Sequence, residues 1–151
     1  VAANSGNRAV AGLIGAAQYA DITSCNCSTY VRNANSSPVA GLVVLLSDSS
    51  LENCTLSNSK IEAGGNGVPY IVGLVAHVTK STVSNNTIIN TAFISVGKTA
   101  TIGLLAGLSD ADSSFTDNKV SGTIDGTEAT LSSVMVVSGN PTVTGTTLYT
   151  E

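Results

Sequence analysis

Residues 41–61 read GLVVLLSDSSLENCTLSNSKI, and residues 73–93 read GLVAHVTKSTVSNNTIINTAF. Each opens on Gly and an apolar run, then spaces single apolar residues among Ser, Thr, Asn and Asp. The same unit lies on either side. Residues 12–31 read GLIGAAQYADITSCNCSTYV, residues 103–124 GLLAGLSDADSSFTDNKVSGTI, and residues 133–151 SVMVVSGNPTVTGTTLYTE. Starts at Gly12, Gly41, Gly73, Gly103 and Ser133 recur about every 30 residues, the range in which a fixed period marks a solenoid, propeller or array.

Apolar residues keep nearly fixed offsets from each start. Ten residues on come Ile22, Leu51, Val83 and Val143, with Phe115 reaching the same place after a two-residue insertion. Fifteen on come Cys27, Leu56, Ile88 and Leu148, with Val120 again displaced by two; twenty on come Ile61 and Phe93, with Ile124 near them. This predicts three short strands per repeat, separated by Ser, Asn, Gly and Asp turns. The leading runs are short and lack a 3.6-residue period, which disfavours helix. The expected fold is all-β: a parallel β-solenoid of about five coils, one domain over residues 1–151, stacked at roughly 4.8 Å into a rod of about 25 Å.

Composition bounds the chemistry. The chain has 151 residues, no Trp, two Phe, 11% charged residues and a net charge of −4. Small and β-branched residues suit a narrow sheet interior. A weakly charged, acidic chain does not carry a nucleic-acid footprint. No apolar run approaches the ~18 residues of a membrane span, so membrane insertion is not expected. The first residues, VAANSGNRAV, have no signal-peptide hydrophobic region. The expectation is a mature, processed chain or one that never carried a signal.

The 41–61 and 73–93 segments resemble the GLUG-type repeat of bacterial and protist surface proteins, with its Gly-Leu-Val start, a Thr- or Ser-rich strand and a second Ser-rich strand. The resemblance covers about four of the five repeats; the last has SSV in place of the Gly start. It implies a surface-displayed or secreted module of adhesin type on a β-helix, and it implies no catalytic residue.

Cys25 and Cys54 share an offset of thirteen. Stacking would bring their Cα atoms to about 5 Å, inside the roughly 4.4–6.8 Å disulfide range, so they are candidates for a bridge between coils or for small ladder residues. Cys27 sits on the inward row as core filler. One His and no second cysteine pair leave no zinc site, and neither a metal nor a cofactor is expected. Four Asn-x-Ser/Thr sequons, at Asn26, Asn35, Asn53 and Asn85, are candidate glycosylation sites. Asn53 and Asn85 share the offset of twelve, which alternation turns outward. The competing reading is turn or ladder asparagines bonded from coil to coil.

Two features point to assembly with other copies. After the starts, both following positions are apolar: Leu13, Leu42, Leu74, Leu104 and Val134, then Ile14, Val43, Val75, Leu105 and Met135. Strand alternation sends one row outward, giving a stripe for lateral contact; a bend turning both rows inward is the alternative. The chain end, TTLYTE, also stops in repeat phase close to where the chain start, VAANSG, begins. Val1, Ala2 and Ala3 at one edge, and Leu148 and Tyr149 at the other, are therefore expected to meet head to tail, or the chain is a whole-repeat excerpt of a longer array.

Catalysis finds little support in the sequence. Asp110, Asp112 and Asp117 form the only dense acidic stretch, with Asp48 aligned to Asp110, and such acids are more often a turn than a site. His77 lacks an aligned acid or nucleophile. A regular Thr face for ice or surface binding would use Thr55, Thr87 and Thr147, with Ser28 in register. The expected function is an extracellular or cell-surface structural protein, not an enzyme, that self-assembles into a filament or forms an adhesin stalk. The alternative is a carbohydrate- or ice/surface-binding β-helix module, with glycans or a host or cell surface as partner; a polysaccharide-active enzyme ranks below it.

Overall fold

The computed structural model describes residues 2–3, 9–34, 37–64, 70–96 and 100–150. These residues form strands and turns with no helix. Strand β1 (Ala2–Ala3) precedes the first turn of the solenoid, which holds β2 (Val10–Ala11), β3 (Ile14–Gln18), β4 (Asp21–Thr23), β5 (Asn26–Cys27) and β6 (Tyr30–Asn33). The second turn holds β7 (Val39–Ala40), β8 (Val43–Ser47), β9 (Ser50–Glu52), β10 (Thr55–Ser57) and β11 (Lys60–Gly64). The third holds β12 (Tyr70–Val72), β13 (Val75–Thr79), β14 (Thr82–Ser84) and the long β15 (Thr87–Val96). The fourth holds β16 (Thr101–Gly103), β17 (Ala106–Ser109), β18 (Ser114–Thr116) and β19 (Lys119–Ile124). After a short β20 (Thr127–Glu128), a partial turn adds β21 (Val136–Ser138), β22 (Thr142–Thr144) and β23 (Thr147–Leu148).

Strands of successive turns pair in parallel and make four sheets. The first runs β16-β12-β7-β2, the second β21-β17-β13-β8-β3 and the third β22-β18-β14-β9-β4; the fourth contains β1, β6, β11, β15, β10 and β5, with β19, β20 and β23 beyond them. The fold is thus a parallel β-solenoid of about four turns. The fifth repeat is not a full coil, because it contributes only three short strands.

The inward columns follow the sequence offsets. Ile22, Leu51, Val83, Phe115 and Val143 are register partners in turn. So are Cys27, Leu56, Ile88, Val120 and Leu148. Val31, Ile61, Phe93 and Ile124 make a third column. A fourth, Val10, Val39, Ile71 and Ile102, lies on the first sheet. Middle members such as Leu51, Leu56, Ile61, Ile71 and Phe93 are fully buried. At about 1.5–3 kcal/mol for each large side chain, these columns are the main favourable term in folding.

A five-residue unit generates three of the corners. Asn53-Cys54-Thr55-Leu56-Ser57 and Asn85-Asn86-Thr87-Ile88-Ile89 show it: a residue with positive φ, a buried short polar residue, then an outward, an inward and an outward residue. Tyr19, Asp48 and Lys80 take φ of 53, 47 and 46° at one corner; Ser24, Asn53, Asn85 and Asp117 take 55, 54, 54 and 53° at the next. Asn and Asp tolerate this left-handed region better than most residues, which explains their recurrence. The buried residue then caps the turn before it. Ser49 Oγ accepts the amide of Ala20 at 3.0 Å, Ser81 Oγ that of Ser49 at 3.1 Å and Ser113 Oγ that of Ser81 at 3.2 Å.

The Gly-Leu corner works differently. Leu13 N and Ile14 N both donate to Leu42 O, Leu42 N and Val43 N to Leu74 O, Leu74 N and Val75 N to Leu105 O, and Leu105 N and Ala106 N to Met135 O. Two consecutive amides sharing one carbonyl break strict alternation, so both side chains face the interior. Leu42, Val43, Leu74, Val75 and Leu105 are all 0% exposed. The lateral stripe of Ile14, Val43, Val75, Leu105 and Met135 therefore does not exist as an outer surface. Its register is also corrected: Val75 pairs with Ala106, and Leu105 aligns with Leu74. The leading Gly is required by close approach, since a Cβ on Gly41 would stand 2.2 Å from Gly73 O and 2.4 Å from Leu56 Cδ2.

Candidate functional site at the two ends of the solenoid

With the lateral stripe buried, the strand edges at the two ends are unpaired among the described residues. At the amino-terminal end β3, β4 and β5 are the outermost strands of the second, third and fourth sheets. At the other end β21 and β22 are outermost in the second and third sheets, and β23 lies beyond β19 in the fourth. Among the described residues these three sheets end in unpaired strands at both ends, as does the first sheet, in which β2 and β16 are outermost. At the carboxyl-terminal end two apolar columns finish in wetted members, Val143 at 39% and Leu148 at 40% exposure; at the amino-terminal end Leu13 is 40% exposed, whereas the column members Ile22 and Val10 are buried. Ile14, Cys27 and Met135 are half-buried, and so is Tyr149, whose amide bonds Val120 O at 2.9 Å.

The remaining stretch of the fourth sheet is closed at both ends. Ala2 and Ala3 pair with Arg32 and Asn33, so β1 lies below β6. At the far end β20 folds back antiparallel, Thr123 opposite Glu128 and Ile124 opposite Thr127. Val1 lies outside the described residues. Between β20 and β23 opens a cleft of about 440 Å³ lined by Thr91, Ser121, Gly122, Glu128, Leu148 and Tyr149. It arises where β19 skips a residue against β15, between Ile88 and Thr91.

Cys25 and Cys54 occupy one capping column with Asn86 and Asn118. Cys25 N donates to Cys54 Sγ at 3.4 Å, Cys54 N to Asn86 Oδ1 at 2.9 Å and Asn86 N to Asn118 Oδ1 at 3.0 Å. The column ends on Thr146, whose buried Oγ1 has no hydrogen-bond partner. All three thiols are free. Burial raises the pKa of Cys27, and burial is also the largest cause that raises that of Cys54.

Asn26, Asn53 and Asn85 are exposed, as sugar attachment would need, and Asn53 and Asn85 are also positive-φ turn residues. Asn35 lies outside the described residues. Asp110 is a turn residue: its carboxylate accepts the Lys80 amide at 3.0 and 3.2 Å and the Ser113 hydroxyl. His77 sits half-buried between Leu45 and Leu108 on the outer side of the second sheet. In the Thr row, Thr55 pairs with Asn26 and Thr87, and Thr87 with Lys119. Ser28 is not in that register, and Asn26 and Lys119 interrupt the threonines.

One cluster has no counterpart in the sequence reading. Glu62 is buried on the outer side of the fourth sheet and takes Lys60 Nζ at 2.8 Å, Arg32 Nε at 2.9 Å and the Tyr30 hydroxyl at 3.1 Å. Lys60 also lies 4.9 Å from the Tyr30 ring centroid. The Lys60 bond, then those of Tyr30 and the charge of Arg32, hold the Glu62 carboxyl below the ordinary carboxylate range. Its signal was register: Tyr30 pairs with Lys60 and Arg32 with Glu62.

Comparison of the chain with protein-family models, with curated proteins and with solved structures finds no match.

Proposed function

We infer that this chain is an extracellular structural module that extends by stacking end to end, as a filament subunit or a section of an adhesin-type stalk. The observation that carries the reading is that, among the described residues, the second, third and fourth sheets end in unpaired strands at both ends, with Leu13 at one end and Val143 and Leu148 at the other left exposed. A contact between unlike ends repeats without closing and gives an open fibre. The GLUG-like segments support a surface location, and the exposed Asn26, Asn53 and Asn85 support glycosylation there. The cleft between β20 and β23, lined by hydroxyls and Tyr149, favours a second reading in which the carboxyl-terminal end binds a carbohydrate.

Negative-stain electron microscopy and sedimentation of the purified chain over a concentration series test the first reading. Unbranched filaments with an axial repeat of about 20–25 Å, abolished by Val143→Asp with Leu148→Asp, are expected. Dispersed monomers at every concentration would overturn it.

A further inference from the structure

The geometry points to Cys25 and Cys54 as a thiol pair that a small disulfide oxidant closes into a covalent link between the first and second turns. This inference is independent of end-to-end stacking. Asn26 is the register partner of Thr55 and Cys27 of Leu56, which sets Cys25 over Cys54 at the corners just before the paired strands β5 and β10. Parallel neighbours stand about 4.8 Å apart, within the Cα separation that a disulfide spans. The contact is already direct: Cys25 N lies 3.4 Å from Cys54 Sγ.

The column itself sets the two cysteines apart. At the same place in the third and fourth turns stand Asn86 and Asn118, each of which caps the turn before it through Oδ1 and ties down a strand carbonyl through Nδ2. A thiol makes a weaker cap: Cys54 Sγ accepts the Cys25 amide at 3.4 Å and as a donor reaches Glu52 O at 3.3 Å and Ile22 O at 3.9 Å. Capping alone therefore does not account for two stacked thiols where amides serve elsewhere. Burial that disfavours the Cys54 thiolate makes the inner sulfur the slower reactant.

Access decides the order of events. Cys25 is partly exposed and Cys54 is fully buried. With glutathione disulfide as oxidant, the Cys25 thiolate attacks one glutathione sulfur and expels one glutathione thiolate, leaving a mixed disulfide on Cys25. The Cys54 thiolate then attacks the Cys25 sulfur and expels the second glutathione. The pair loses two protons and two electrons; the oxidant gains both and leaves as two glutathione thiols. Cys27, in the neighbouring hydrophobic column beside Leu56, takes no part.

The test incubates the intact chain, Cys27→Ser, Cys25→Ser and Cys54→Ser with glutathione disulfide. Free thiols are then counted under denaturing conditions and the bridge is mapped by non-reducing peptide mass analysis. The intact chain has three free cysteines. It should fall to one free thiol, Cys27→Ser should fall to none, and the map should join the Cys25 and Cys54 peptides. The closed form should melt about 5–10 °C above the reduced form, because the link closes a loop of about 30 residues. Cys25→Ser and Cys54→Ser should form no bridge. Retention of all thiols by the folded intact chain would overturn the proposal, as would a bridge that includes Cys27. If either serine variant fails to fold, the thiol count and map of the intact chain and of Cys27→Ser decide alone.

Discussion

Asn86 holds the turn below it by two bonds at once: its Oδ1 accepts the Cys54 amide at 2.9 Å while its Nδ2 donates to Leu51 O at 2.9 Å. Both partners are buried backbone groups in the second turn, and Asn86 itself is 0% exposed. The side chain thus does the work that a regular ladder bond cannot do at a corner.

Asn86→Ala strands both backbone groups and should cost about 3 kcal/mol. Asn86→Ser keeps an acceptor of the kind used by Ser49 and Ser81 and should recover part of that loss. Urea titration followed by circular dichroism checks both, and equal losses would mean that the hydrogen bonds are not the cause.

Val75→Asp should unfold the protein, because Val75 is 0% exposed and faces other side chains of the interior. Val143→Asp should change stability by less than about 1 kcal/mol, since the residue is 39% exposed. Thermal melts of the two variants side by side separate an interior position from an end position. A folded Val75→Asp that fails only to associate would restore the lateral surface.

Gly41→Ala and Gly15→Ala make a matched pair. A Cβ on Gly41 meets backbone and core at 2.2 and 2.4 Å, whereas one on Gly15 meets nothing within 4 Å. The first should destabilise by about 2–4 kcal/mol, and the second should be neutral or slightly stabilising. Denaturant midpoints measure the difference, and similar midpoints would remove the close-approach argument.

The Glu62 cluster predicts a pH dependence. Its carboxyl has a lowered pKa in the folded chain, so its contribution is fully present above the unfolded value of about 4.3 and is lost as pH falls through the folded value. Glu62→Gln should flatten stability between about pH 5 and 3, where the parent declines. Melting temperature across that range measures it, and parallel curves for the two proteins would deny Glu62 this role.

Stacking two copies in contact would bring β20 of one and β1 of the next to neighbouring positions along the same edge of the fourth sheet, since β20 covers the positions aligned with Tyr30 and Val31 and β1 covers Arg32 and Asn33. A chain starting at residue 9 should therefore associate at lower concentration than the full chain. Sedimentation velocity compares them, and unchanged association would mean that β1 does not obstruct the contact.

The inward columns at ten, fifteen and twenty residues were legible because a solenoid interior is apolar at fixed spacing. Phe115 was placed correctly across its insertion, for residues 111 and 112 form a turn outside the column. The Gly-Leu corner was not legible. Leu104, Leu105 and Ala106 are all apolar, so the one-residue slip that sets Ala106 against Val75 leaves no mark in the pattern. Strand β20 repeats nothing and cannot be found by periodicity. Tyr30, Lys60, Arg32 and Glu62 lie on the outer side, where polar residues carry no period, and only the register brings them together. Repeat phase alone leaves both ends open, whereas β20 closes one stretch of the fourth sheet.

The capping columns run one way: each buried amide waits for a side chain that lies 29 to 32 residues later in the chain. On a ribosome the amide of Cys54 therefore has only water to bond until Asn86 emerges, and that of Asn86 until Asn118 does. Each nascent coil is completed by the next one synthesised, which makes growth from the amino-terminal end the natural order of folding.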